Sequence, residues 1–138
     1  MNKILLEALR MKMDHNAVGS NTEQDADKFF INLLGLQKTR SFTVSSDLME
    51  QFFGVKKEQQ IIRYEDDNVS FEVFITNDDQ KTHDIFTHAC LLLEDRDSFV
   101  ENALSLGFSV TKVPRKESEG YYLFVKDSFN NLYEIKSK

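Results

Sequence analysis

The sequence predicts an α+β chain in which one βαβββ unit is written twice. Three observations predict it: an amphipathic helix in each half, period-two strand segments placed alike around each helix, and a histidine and a glutamate at matching positions of the two halves.

The first unit opens where Leu9, Met11, Met13, His15 and Ala17 alternate with Arg10, Lys12, Asp14 and Asn16, the period of a strand with one apolar face. Ala26, Phe29, Phe30, Leu33 and Leu34 then share one helical face, with Asp25 as the expected N-cap and Gly35 as the stop. A strand over Phe42 to Val44 follows, then a short helix from Asp47 to Phe53 that stops at Gly54. Strands over Gln60 to Tyr64 and Val69 to Ile75 complete the unit. Residues 76–84 (TNDDQKTHD) are polar and aperiodic and read as a linker, with His83 solvated within it.

The second unit repeats the order. Phe86 to Leu93 is its first strand, and Phe99, Val100, Ala103 and Leu104 mark its helix, capped by Asp95 or Asp97 and ended by Gly107. Strands over Phe108 to Val113, Tyr121 to Val125 and Leu132 to Ile135 follow. His15 precedes Gly35 by 20 residues and His88 precedes Gly107 by 19, so the halves align. The chain therefore reads as one domain over 1–138, with module 1 at about 9–75 and module 2 at about 85–136.

Composition limits the partners. The 138 residues are 41% hydrophobic, enough for a core, and carry a net charge of −6 with pI about 5.1. That acidic balance repels phosphate backbones and speaks against nucleic acid. No stretch reaches the roughly 18 apolar residues of a membrane span. The opening MNKILLEAL is interrupted by Glu7 and Arg10, which argues against a leader peptide. A lone cysteine, Cys90, makes no internal disulfide and reads as a small core residue, so the cytoplasm is the expected compartment. The mildly basic run from Lys112 to Lys116 reads as a solvated loop, or as one over a cleft that meets an anionic substrate.

Four residues carry the candidate chemistry. Taken singly, each has a plainer account. His15 and His88 sit on the apolar faces of their strands, where a satisfied core histidine is common. Glu72, inside VSFEVFI, alternates outward with Ser70, and Glu134 lies near the end of the chain. Together they weigh more, because two histidines and two glutamates occupy matching places in a repeat, and pseudo-twofold packing brings matching places together. Two imidazoles and two carboxylates suit one divalent cation, with Zn, Ni, Co, Mn and ferrous Fe all compatible.

The residues Asp14 to Val18, Asp25 to Phe30 and Leu34-Gly35-Leu36, then His88 to Leu93, and above all Phe124 to Ile135 resemble the vicinal oxygen chelate superfamily, the glyoxalase and bleomycin-resistance fold. The likeness spans about residues 9 to 136. Ser128 stands where that family's closing signature has proline and Asn130 where it has glycine; asparagine tolerates the left-handed turn. The resemblance implies a curled mixed-sheet cup around one metal held by His15, Glu72, His88 and Glu134. It also implies a lyase or isomerase that handles an α-oxo or α-hydroxy carbonyl substrate through an enediolate or enolate, with Glu134 or Glu72 as the base, as in lactoylglutathione lyases and acyl-CoA epimerases. A drug-binding resistance protein and a ferrous extradiol-type dioxygenase using only His15, His88 and Glu134 are the rivals. A homodimer is expected, with exchange of modules between chains as one form of it.

Overall fold

The structure, a computed structural model, describes residues 13–84, 86–115 and 118–138. Module 1 contains β1 (Asn16–Ser20), α1 (Glu23–Ala26, continuing in wider π-helical turns over Asp27–Leu33), β2 (Gln37–Val44), α2 (Ser46–Phe53), β3 (Gln59–Glu65) and β4 (Ser70–Ile75). Module 2 contains β5 (His88–Leu93), α3 (Arg96–Ser105), β6 (Ser109–Pro114), β7 (Tyr121–Lys126) and β8 (Leu132–Ser137). Each module folds into one four-stranded mixed sheet, in the orders β1-β4-β3-β2 and β5-β8-β7-β6. The outer pair in each is parallel, β1 with β4 and β5 with β8, and the others are antiparallel. The α+β class and the duplicated βαβββ order are those the sequence predicts.

Two local expectations shift. The first strand begins at Asn16, later than the alternation suggests, and Leu9 to Lys12 lie outside the described residues. The cap of α1 is Thr22 and not Asp25: the Thr22 hydroxyl accepts from the Asp25 amide at 3.1 Å, while Asp25 places its charge in the first turn, where the helix dipole favours it. In α3 the choice resolves to Asp95, whose carboxylate accepts from Ser98 N at 3.0 Å. Gly35 ends α1 at φ 75, a left-handed position that costs a residue without Cβ nothing.

The widened turns of α1 have a packing consequence. The Leu34 amide bonds to Phe29 O, five residues back, at 3.0 Å. This under-wound register lets neighbouring Phe29 and Phe30 both be buried, at 1% and 0% exposure. Phe30 stacks on Tyr64 at 5.2 Å and meets Phe71 at 5.2 Å, both in module 1. Phe29 meets Phe108 at 5.1 Å and Tyr133 at 4.8 Å, both in module 2. One helix thus feeds an aromatic ring into each half. Phe71 and Tyr133 meet directly at 6.1 Å, so the two modules share one core.

The linker is pinned. Buried Asn21 donates through Nδ2 to the carbonyls of Asp78 and Gln80, each at 2.8 Å, and Thr82 N donates to Phe129 O at 2.9 Å. The β7–β8 turn reaches back to β1, where Asn131 Nδ2 donates to Gly19 O at 2.7 Å. A Cβ at Gly19 would lie 2.9 Å from the Phe129 ring. Gly19→Ala is therefore expected to destabilise the fold by about 1–3 kcal/mol through overpacking, read as a lower urea midpoint with unchanged m-value; an unchanged midpoint would show that the ring yields freely.

Candidate metal centre

The alternation of each strand decides which side chains enter the core and which face outward. On β4, Phe71, Val73 and Ile75 are buried at 1%, 0% and 3%, so Ser70, Glu72 and Phe74 point to the opposite face. On β8, Tyr133 and Ile135 are buried at 1% and 0%, so Leu132, Glu134 and Lys136 take the outer face. The histidines lie on those outer faces too. His15 immediately precedes β1, whose Ala17 pairs with Glu72, and His88 opens β5, whose Cys90 pairs with Glu134. Their plainer account as core histidines does not hold. Cys90 is exposed, against the expectation of a small core residue, because Ala89, Leu91 and Leu93 are the β5 side chains that turn inward.

Each module brings its own pair together. His15 Nε2 lies 3.4 Å from Glu72 Oε1, and His88 Nε2 lies 3.5 Å from Glu134 Oε1. The other ring nitrogen is tied in both. His15 Nδ1 lies 2.7 Å from Asp14 Oδ2, and His88 Nδ1 lies 2.8 Å from the Phe86 carbonyl. A carbonyl oxygen only accepts. Asp14 does the same, since its bonds to His15 and then Arg63 hold its carboxyl below the usual carboxylate range. In both imidazoles Nδ1 therefore donates, and Nε2 is the nitrogen turned toward a carboxylate.

Two acceptors facing each other at these distances repel unless a cation or proton lies between them. Ligand bonds of about 2.1 Å at octahedral to tetrahedral angles separate two donor atoms of one metal by about 3.0–3.4 Å. The donor types fit one half of a divalent-metal site in each module, with the 3.4 Å spacing of module 1 at the wide end of that range and the 3.5 Å spacing of module 2 about 0.1 Å beyond it.

The four residues do not converge within one chain. Glu72 and Glu134 each stand next to the residue that meets its counterpart in the core, Phe71 or Tyr133, and so lie on the face of their own sheet opposite that core. Among the described residues, no three His, Cys, Asp or Glu side chains are placed to hold one metal ion.

Comparison with known proteins places the fold. The solved fosfomycin resistance protein FosX from Listeria monocytogenes superposes with a TM-score of 0.69 at 14% identity, covering 94% of this chain and 95% of that one. A glyoxalase family protein from Bacillus cereus superposes with a TM-score of 0.71 at 16% identity, covering 93% and 94%. This chain has the fold of these fosfomycin resistance and glyoxalase family proteins. FosX from Mesorhizobium loti matches at TM-score 0.67 and 14% identity, over 93% of this chain and 92% of that one. A variant of the Listeria protein was solved with Mn(II) and a dihydroxypropylphosphonic acid. No family model and no curated protein matches the chain by sequence.

The surroundings of the two histidine–glutamate pairs hold residues the sequence reading did not single out. Arg63 on β3 pairs with Glu72 in register and touches it, and Phe124 on β7 pairs with Glu134. The Phe124 ring lies 6.1 Å from the His88 ring, edge to face. Two residues along β4 from Glu72, Phe74 meets Phe53 of α2 at 5.6 Å, and Phe52 and Phe53 are 63% and 56% exposed. Strand alternation signals Arg63, which stands between buried Ile62 and Tyr64 and so must share the Glu72 face. Lys112 and Arg115 lie over the rings of Tyr121 and Tyr122, each at 4.2–4.3 Å, and His83 is exposed in the linker.

Proposed function

We propose that this chain is a divalent-metal-dependent enzyme of the vicinal oxygen chelate type, a lyase or isomerase acting on an α-oxo or α-hydroxy carbonyl compound in the cytoplasm as a homodimer. Each metal site is assembled from His15 and Glu72 of one copy and His88 and Glu134 of the other. The observation that supports this most is the repeated arrangement of an Nδ1-tethered imidazole facing a carboxylate, once per module. Neither half is a complete site, and among the described residues no third His, Cys, Asp or Glu side chain is placed to complete either one.

When bound, the cation supplies Lewis acidity toward two neighbouring oxygens of a substrate. The chain supplies the rest. The two imidazoles and Glu72 hold the centre in place. Glu134, beside the apolar Phe124 ring, takes the proton from the carbon next to the carbonyl and returns it to the product. The solved neighbour holding Mn(II) and a small vicinal diol supports metal use on this fold.

Elemental mass spectrometry of the purified protein tests the reading, beside the double variant His15→Ala, Glu134→Ala. About one transition metal per chain, lost in the variant, is the expected result. No metal in either protein after reconstitution overturns it in favour of a non-catalytic small-molecule binder. Iron retained by a Glu72→Ala variant would instead support the ferrous dioxygenase reading.

A further inference from the structure

We infer that Arg63 is a positioning residue for the module 1 half of the metal site, because one guanidinium holds both the carboxylate of Glu72 and the Asp14 carboxylate that orients His15. The inference rests on the metal-site reading above.

The geometry is specific to this residue. Arg63 Nη2 donates to Asp14 Oδ2 at 2.9 Å, and that oxygen also takes the Nδ1–H of His15. Arg63 Nη1 lies 3.4 Å from Glu72 Oε2, the oxygen not turned toward His15. Arg63 Nε donates to Ser70 Oγ at 2.8 Å and lies 3.4 Å from Glu65 Oε1, which fixes the plane of the fork. The chain Glu72, Arg63, Asp14, His15 thus closes a loop behind the two ligand atoms, on a side chain only 21% exposed. Such outer groups set the rotamer and tautomer of the ligands they touch.

The duplication supplies an internal control. The register partner of Glu72 is Arg63, and that of Glu134 is Phe124. The same template therefore carries a cation in module 1 and an apolar ring in module 2. Glu72 is braced, with one oxygen committed to a guanidinium, and behaves as a fixed ligand. No salt bridge braces Glu134 among the described residues except its contact with His88. It keeps the rotational freedom that a group carrying a proton needs, which accounts for giving it the base role.

The test is a Co(II) titration of metal-free protein, followed by visible absorption, for the wild type, Arg63→Gln and Arg63→Lys. Thermal midpoints in chelator show whether each variant folds. Arg63→Gln is expected to bind Co(II) about 10–100-fold more weakly and to shift the ligand-field bands, with an unchanged midpoint in chelator. Arg63→Lys is expected to stay weak, because one ammonium cannot bridge two carboxylates as the planar fork does. If Arg63→Gln fails to fold, Arg63→Lys decides alone. A folded variant that binds Co(II) within about twofold of wild type, with the same spectrum, overturns the role of Arg63 and leaves the metal site standing. A wild type that binds no Co(II) overturns both.

Discussion

Asp127→Ala is expected to destabilise the protein by about 3 kcal/mol or more, because it strands several buried donors at once. Asp127 is 5% exposed, in the turn between β7 and β8. Its Oδ1 accepts from Phe129 N at 2.9 Å and from Asn131 N at 3.0 Å. Its Oδ2 accepts from Asn131 Nδ2 at 2.8 Å and from the Tyr133 hydroxyl at 3.0 Å. The same turn carries Asn131 to Gly19 and sets Tyr133 in the shared core next to Glu134, so its loss loosens module 2 and the seam between modules together. For a chain of this size the midpoint of thermal unfolding should fall by about 10 °C. Asp127→Asn should cost less, since its amide oxygen still serves two donors and the Tyr133 hydroxyl can turn to accept. Equal midpoints for Asp127→Ala and wild type would refute this account of the turn.

Asp127 also imposes a pH dependence whose sign is fixed. Burial pushes its carboxyl above the ordinary value of 3.8, against the pull of the bonds from Asn131, Tyr133 and Phe129. The folded chain therefore binds this proton more tightly than the unfolded chain. The contribution to stability is complete below 3.8 and declines as the pH rises through the folded value. Asp127→Asn removes that decline, so wild type should lose more midpoint than the variant as the pH is raised from below 3.8 toward neutrality. Parallel profiles would contradict it.

What the sequence made legible follows from the range of each interaction. Helices, caps and strand alternation are local, and Gly35, Gly107 and Gly54 all mark helix ends as expected, with φ of 75, 84 and 73. Asn130 adopts φ 64, the left-handed turn allowed for in its place in the closing motif. The duplication marked His15, Glu72, His88 and Glu134 as matching positions, but the sequence expected all four round one cation, whereas each parallel strand pair brings together only the histidine and glutamate of its own module. The start of β1 was not readable: Met13 and His15 continue the alternation of Leu9 and Met11, but the ladder with β4 begins only at Asn16. The apolar alternation also named the wrong face there, since Met13 is 75% exposed and Val18 is the residue that packs on the core. Arg63 and Asp14 escaped notice for a further reason. Their role depends on the segment before β1 meeting β3 and β4, and no spacing within one segment encodes that.

The separation of the His15–Glu72 and His88–Glu134 pairs into different modules makes the assembly of the site testable by complementation. One copy carries His15→Ala and Glu72→Ala, the other His88→Ala and Glu134→Ala, each with a different affinity tag. Every copy then lacks one half-site. If both halves of a site had to come from one chain, no site could be intact in any mixture. If each site joins module 1 of one copy to module 2 of the other, a mixed dimer holds one site with no ligands and one with all four. Doubly tagged dimers purified after co-expression should then carry about half the wild-type metal per chain, while either variant alone carries none after dialysis against a chelator. The effect is all or nothing, because a half-site offers two protein ligands and loses the chelate advantage of four. Metal-free mixed dimers alongside metal-loaded wild type would place both halves within one chain. That outcome would require the two modules to shift against the core they share through Phe29, Phe71 and Tyr133, since among the described residues the two pairs form no group of three ligands.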